Sequence, residues 1–167
     1  DGQRVKVKGP KGELEKTLSL EGTELDRLES SRQLMQGLVQ AAKAVRQPII
    51  AAINGMCAGG GFSLALLCDL LLASDRARFT MAFVRRGLVP DIAGTYTLPR
   101  LVGTVRALEI MMLGEVFDAR EAEKLGLVSQ VVPLDKLEST AQELARRLAD
   151  APPLAVAATK TSVYQAQ

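Results

Sequence analysis

The 167-residue chain contains no histidine and no tryptophan, only two cysteines, and 4% aromatic residues. The missing histidine excludes a Ser-His or Cys-His nucleophile pair, a histidine general base and a His-rich metal site within these residues, so no metal ligand set is assigned. Cys57 and Cys68 are too few for a disulfide framework. No apolar run reaches transmembrane length, which gives no reason to assign a membrane partner. Charge of one sign is also lacking: 21 Lys and Arg against 19 Asp and Glu leave a net charge of +2. That balance gives no compositional reason to assign nucleic acid or a membrane surface as partner. The first residue is Asp1 rather than Met, which weakens any inference from the lack of a signal peptide. What is present, 47% hydrophobic and 24% charged residues, is the composition of one ordinary globular domain.

Along the chain, residues 1–22 read as an extended hairpin or linker. Val5 and Val7 alternate with Arg4, Lys6 and Lys8, and Gly9-Pro10-Lys11-Gly12 is a turn signal. Leu14, Leu18 and Leu20 fall on one side of a second strand. The basic run reads as a solvated edge hairpin, with phosphate contact as the alternative. The string VKVKGPKGEL resembles a hairpin of a bacterial large-subunit ribosomal protein. Residues 23–45 read as a helix with Thr23 as N-cap and Leu25, Leu28, Met35, Leu38, Val39, Ala42 and Val45 on one stripe. Pro48–Ile53 reads as a buried strand, Phe62–Leu72 as an apolar helix and Phe79–Phe83 as a short strand. Thr104–Leu113 and Asp118–Leu125 read as helices, with Gly126 at the C′ position of the second. A strand over Val128–Val132 is followed by an amphipathic helix over Leu134–Ala149 and another from Pro152 to Tyr164. The element order is α/β with more helix than strand.

Two segments carry chemistry. Ala58-Gly59-Gly60-Gly61 joins a strand to an apolar helix. Consecutive glycines let a ligand reach the backbone, and a helix start offers N–H groups to an anion or an oxygen becoming one. A P-loop is excluded because Gly60-Gly61-Phe62 lacks the Lys-Ser/Thr ending. A dinucleotide fingerprint fits poorly at Leu64. Gly61-Phe62-Ser63-Leu64-Ala65 approaches a nucleophile elbow, but Ser63 lacks a histidine. A bare packing turn remains the alternative reading. The second segment is Gly87-Leu88-Val89-Pro90-Asp91-Ile92-Ala93-Gly94-Thr95. An acid in apolar surroundings ionises less readily and can act as a base near neutrality. A turn or helix cap is the alternative for Asp91. Cys57 reads as a small packed residue, and Asp69 as a group that pairs or caps.

The run Gln47-Pro48-Ile49-Ile50-Ala51-Ala52-Ile53-Asn54-Gly55, then Ala58 to Gly61, Leu64-Ala65, Cys68-Asp69 and Ala73-Ser74 resembles the crotonase superfamily of enoyl-CoA hydratases and isomerases. Gly87-Leu88-Val89-Pro90, Gly94-Thr95 and Leu98 to Gly103 continue the likeness in register, as do Ala119–Glu123, Gly126-Leu127-Val128 and Val131-Val132. The resemblance covers about residues 24–165. It implies an α/β fold of the ClpP/crotonase type, a spiral of ββα units with a helical C-terminal part, here partial. A crotonase-like domain over 23–167 would follow the hairpin.

The resemblance further implies an acyl-CoA thioester as substrate, an enolate intermediate and no separate cofactor. Gly60 matches the family's second oxyanion-hole donor. The Ala-Gly-x-Asp motif that carries the first donor has no counterpart in these residues, which implies a fragment or a chain joined to a foreign hairpin. Hydratases carry glutamates where Ser63 and Phe83 stand. A branch similar to the isomerases of phenylacetate degradation instead carries an Asp where Asp91 stands, and Thr80-Met81-Ala82-Phe83-Val84-Arg85 is closer to that branch. The resemblance therefore implies an enoyl-CoA isomerase with Asp91 as acid and base, and with Met56, Ala58, Gly59, Phe83 and Ile92 against the substrate. A non-catalytic acyl-CoA-binding or assembly module and an enoyl-CoA hydratase are the alternatives. It also implies a cytoplasmic homotrimer or hexamer.

Overall fold

A computed structural model describes residues 4–9, 12–17 and 24–166, with side chains from Gln33 onward. The chain divides into two units, Asp1–Gln36 and Gly37–Gln167. In the first, β1 (Arg4–Gly9) and β2 (Gly12–Thr17) pair antiparallel, with Val7 opposite Leu14. The alternation and turn signal thus give the expected hairpin. Pro10, Lys11, Leu18, Leu20 and the expected N-cap Thr23 lie outside the described residues. Helix α1 (Glu24–Ala44) begins in the first unit and ends in the second. Its half-buried positions Met35, Leu38, Val39 and Ala42 are members of the stripe read from the sequence.

The second unit winds strands alternately into two small sheets. After β3 (Ile50–Ile53) come β4 (Met56–Ala58), α2 (Gly60–Ala65), β5 (Leu70–Ser74) and β6 (Arg78–Thr80). β5 pairs parallel with β3, and β6 pairs parallel with β4. Each turn of chain therefore lays one new strand on each sheet, and α2 lies inside that turn. Next come α3 (Gly94–Val102), α4 (Thr104–Leu113), β7 (Phe117–Asp118), α5 (Ala119–Lys124) and β8 (Gln130–Val132). β8 extends the first sheet to the order β3-β5-β8, and β7 closes the second as β4-β6-β7. Helices α6 (Leu137–Asp150) and α7 (Pro153–Gln165) end the chain.

Two readings from sequence are corrected. Phe62–Leu72 is not one helix: α2 stops at Ala65, and Leu70–Ser74 is a strand between β3 and β8. An unbroken apolar run fits a buried central strand as well as a helix, so periodicity alone does not separate them. Phe79–Phe83 is a strand only to Thr80, after which the chain turns through a short 3-10 segment over Val84–Arg86. Helix α3 had no counterpart in the sequence reading, because Pro99 inside it masks the pattern. By contrast, α4 matches its expected range, and Asp118 caps α5 by accepting the Glu121 N–H at 2.9 Å.

The main core is built on three of the four phenylalanines. Phe62, Phe79 and Phe117 form a ring cluster with centroids 5.4 to 6.0 Å apart, joining α2 to β6 and β7. Met81 and Leu98 are fully buried in the same core. A smaller cluster of Leu72, Val132 and Leu137 takes Ala141 and Leu144 from one face of α6. No helix among the described residues is long and apolar enough to cross a membrane.

Candidate active site

The site begins where β4 runs into α2. Cys57 points into the core, while Met56 and Ala58 lie on the strand's exposed face, Met56 at 64%. Burial pushes the Cys57 thiol up to about 11, with Cys68 adding to the rise, so this thiol stays protonated and packed. Gly59 then turns the chain with φ 51°, a left-handed value that favours glycine. Its N–H donates to the Thr80 carbonyl at 2.9 Å, and its carbonyl accepts the Ser63 N–H at 2.9 Å. The turn is thus tied to β6 on one side and to α2 on the other. Among the described residues no acceptor takes the Gly60 N–H, which leaves this donor at the mouth of the helix.

Three predicted side chains meet at this turn. A Cβ on Gly60 would stand 3.5 Å from Asp91 Oδ1 and 3.5 Å from Ile92 Cδ1. A Cβ on Gly59 would stand 3.8 Å from the edge of the Phe83 ring. Asp91, Ile92 and Phe83 therefore surround Gly59 and Gly60. Met56 and Ala58 lead into the turn along the open face of β4. The enclosure expected around Asp91 is not supplied by the described residues: Asp91 is exposed, and none of them hydrogen-bonds its carboxylate. The alternative of a helix cap also fails, because Ala93 is the N-cap of α3 and no side chain caps that helix.

Ser63 is fully buried, with its hydroxyl 4.0 Å from the Met81 sulfur. It faces Gly94 and not solvent, so the nucleophile-elbow reading has no exposed hydroxyl to use. Two features were not read from the sequence. Ile92 and Ala93 both adopt left-handed backbone, with φ 47° and 59°. Such residues cost about 1–3 kcal/mol each, and a β-branched side chain is an outlier there. Gly94 packs so tightly on Ser63 that a Cβ would lie 2.7 Å from its Oγ. The string Asp91-Ile92-Ala93-Gly94 gives no propensity signal for this turn, since neither Ile nor Ala favours it.

Away from the turn, Asp69 pairs, as one of its two expected roles. It accepts from Lys160 Nζ at 2.7 Å, the Tyr164 hydroxyl at 2.9 Å and the Ile49 N–H at 2.7 Å. Arg100 stacks on the Tyr96 ring at 3.6 Å and donates to the Tyr96 carbonyl.

A profile of the enoyl-CoA hydratase/isomerase family matches residues 18–167. The chain belongs to that family. A 1,2-epoxyphenylacetyl-CoA isomerase of Escherichia coli K12 is 40% identical over 130 residues, which are 78% of this chain and 50% of the relative. A probable mitochondrial enoyl-CoA hydratase of Dictyostelium discoideum is 41% identical over 71% of this chain and 43% of the relative. The crystal structure of a probable enoyl-CoA hydratase/isomerase from Mycobacterium abscessus superposes with a TM-score of 0.83 at 36% identity. That match covers 86% of this chain and 55% of the other. The chain thus spans about half the length of the curated relatives it matches. Its fold is the crotonase fold of this family, with a helical C-terminal part.

Proposed function

We propose that the protein carrying this chain is an enoyl-CoA isomerase that shifts a carbon–carbon double bond through a thioester enolate. The observation that carries this reading is the approach of the Asp91 carboxylate to Gly60, whose N–H has no acceptor among the described residues. A thioester oxygen seated on the Gly60 N–H brings the carbon beside its carbonyl toward Asp91. The carboxylate takes the proton from C2 of a 3-enoyl thioester, and the electron pair moves into the carbonyl oxygen to give a dienolate. Fixed donors aimed at that oxygen are commonly worth about 3 kcal/mol each. Asp91 then returns the same proton to C4 as the carbonyl re-forms and the double bond settles between C2 and C3, so the carboxylate is regenerated and nothing else is consumed. Phe83, Ile92, Met56, Ala58 and Gly59 line the acyl path in this reading. Coenzyme A enters as part of the substrate and no separate cofactor takes part.

Water addition is less well supported, because Ser63 is buried and Phe83 is apolar, leaving neither position with a carboxylate. The E. coli relative's name, a 1,2-epoxyphenylacetyl-CoA isomerase, agrees with the isomerase branch. The exposure of Asp91 favours one second reading, an acyl-CoA-binding module without turnover. We place the protein in the cytoplasm as a homotrimer or hexamer. The exposed apolar face of α4, with Val105 at 83% and Met112 at 63%, supports self-association.

The test is isomerisation of a 3-enoyl-CoA by the protein as expressed from its gene, beside its Asp91→Asn variant. Turnover falling about a hundredfold or more in the variant, with acyl-CoA binding retained, supports the reading. Equal turnover in both removes Asp91 from the chemistry. Tight binding with no proton exchange at C2 in deuterated water selects the binding module.

A further inference from the structure

Consecutive side chains on an extended segment point to opposite sides. Asp91 and Ile92 do not, since both come within 3.5 Å of the Cβ position of the same glycine, Gly60. The left-handed backbone at Ile92 and Ala93 makes this possible by folding the second side chain back beside the first. Strained backbone persists only where its surroundings hold it. Here α3 does the holding from above. The Ala93 carbonyl accepts the N–H groups of Tyr96 and Thr97 at 2.9 Å each, and the Thr97 hydroxyl at 3.0 Å. The buried Gly94 donates its N–H to the Asp91 carbonyl at 2.8 Å.

Beneath Gly94 lies a close-fitting seat. A Cβ there would meet Ser63 Oγ at 2.7 Å, Pro90 Cβ at 3.4 Å and Met81 Cε at 3.5 Å. Ser63 and Met81 are both fully buried, so neither has solvent to retreat into. The start of α3 therefore stands at a height set by the size of residue 63 and the bareness of residue 94. Through the Gly94–Asp91 hydrogen bond that height also sets where Asp91 stands.

We propose that Ser63 and Gly94 are positioning residues whose close approach locks the left-handed Ile92-Ala93 turn and so holds the Asp91 carboxylate over Gly60. The proposal rests on the reading of Asp91 as the acid and base of the isomerisation. It gives Ser63 a role of its own: a small buried group is required there so that α3 can sit down and Asp91 can reach the substrate. A longer side chain at 63 lifts the helix start and moves the carboxylate off its target.

The experiment compares Asp91→Asn, Gly94→Ala, Ser63→Gly and the double variant Ser63→Gly/Gly94→Ala in the intact protein. Each is assayed for isomerisation, with the folded fraction taken from thermal unfolding. Gly94→Ala is expected to lose about tenfold or more in kcat at nearly unchanged KM, since a misplaced base weakens the transition state but not binding. Removing the Ser63 hydroxymethyl in the same protein is expected to restore kcat to within about threefold of the parent. Should Gly94→Ala not fold, the double variant carries the test: folded and active supports the proposal, folded and as slow as Asp91→Asn overturns it. A Gly94→Ala protein that melts earlier but keeps its kcat per folded molecule overturns it too. Loss of activity in Asp91→Asn beside an unaffected Gly94→Ala overturns the positioning alone, whereas full activity in Asp91→Asn overturns both readings.

Discussion

Gly60 shows how much a single missing methyl decides. A Cβ there would touch Asp91 Oδ1 and Ile92 Cδ1 at 3.5 Å, an ordinary contact distance, so alanine fits the protein without strain. It would, however, fill the space between the Gly60 N–H and the carboxylate, which is where the proposed function seats the thioester. Gly60→Ala is therefore expected to leave the unfolding midpoint unchanged or slightly raised, as glycine replacement at a compatible site often does. Its kcat/KM is expected to fall about a hundredfold, as for other displacements of a reacting group by about an ångström. Thermal unfolding and steady-state isomerisation check both halves. At this scale the candidate site was partly legible. Gly60 and Asp91 stand in strings whose residue types announce a tight turn and a lone acid. The approach of Gly94 to Ser63 was not legible, because it depends on the distance between two backbones 31 positions apart in the sequence and no residue type encodes it.

The elements were legible where one local rule acted alone. The hairpin β1–β2 follows from alternation and a turn signal, and α4 follows from an unbroken helical pattern. Leu70–Leu72 was read as the end of a helix because its apolar run is a strand only by virtue of its neighbours β3 and β8. The anchoring of α7 is another long-range product. Lys160 and Asp69 are 7% and 15% exposed, and the lysine also reaches the Gln47 carbonyl at 3.1 Å. Nothing near Asp69 in sequence names a partner 91 residues away. Tyr164 completes the cluster, and burial, reinforced by its hydrogen bond to Asp69, pushes its hydroxyl up from 10.0 to about 12. A folded-state value above the unfolded one means that the folded form keeps its proton longer. The stabilisation is then complete below pH 10 and is lost as pH rises from 10 to 12. Denaturant midpoints measured across that range are expected to decline more steeply in the parent than in Tyr164→Phe. Parallel declines would show that Tyr164 does not titrate with unfolding.

At the scale of the whole molecule, α3 and α4 present one face inward and another to solvent. Ala107, Ile110 and Met111 are buried in the core, while Val105, Leu108 and Met112 are exposed. The exposed residues fall at spacings of three and four, so they form a single stripe along α4. A charged helix face keeps a monomer soluble, whereas an apolar stripe of this kind supports the self-association proposed above. The chemistry adds a second pressure in the same direction. Asp91 is exposed in the chain as described, and a base that must hold a proton between two carbons needs water kept away. Val105→Glu combined with Met112→Glu places two carboxylates on the stripe without touching the buried face of α4. The variant is expected to sediment as a smaller species than the parent while keeping its helical circular dichroism, because the core residues of α4 are unaltered. An unchanged sedimentation coefficient would show that α4 does not carry the contact.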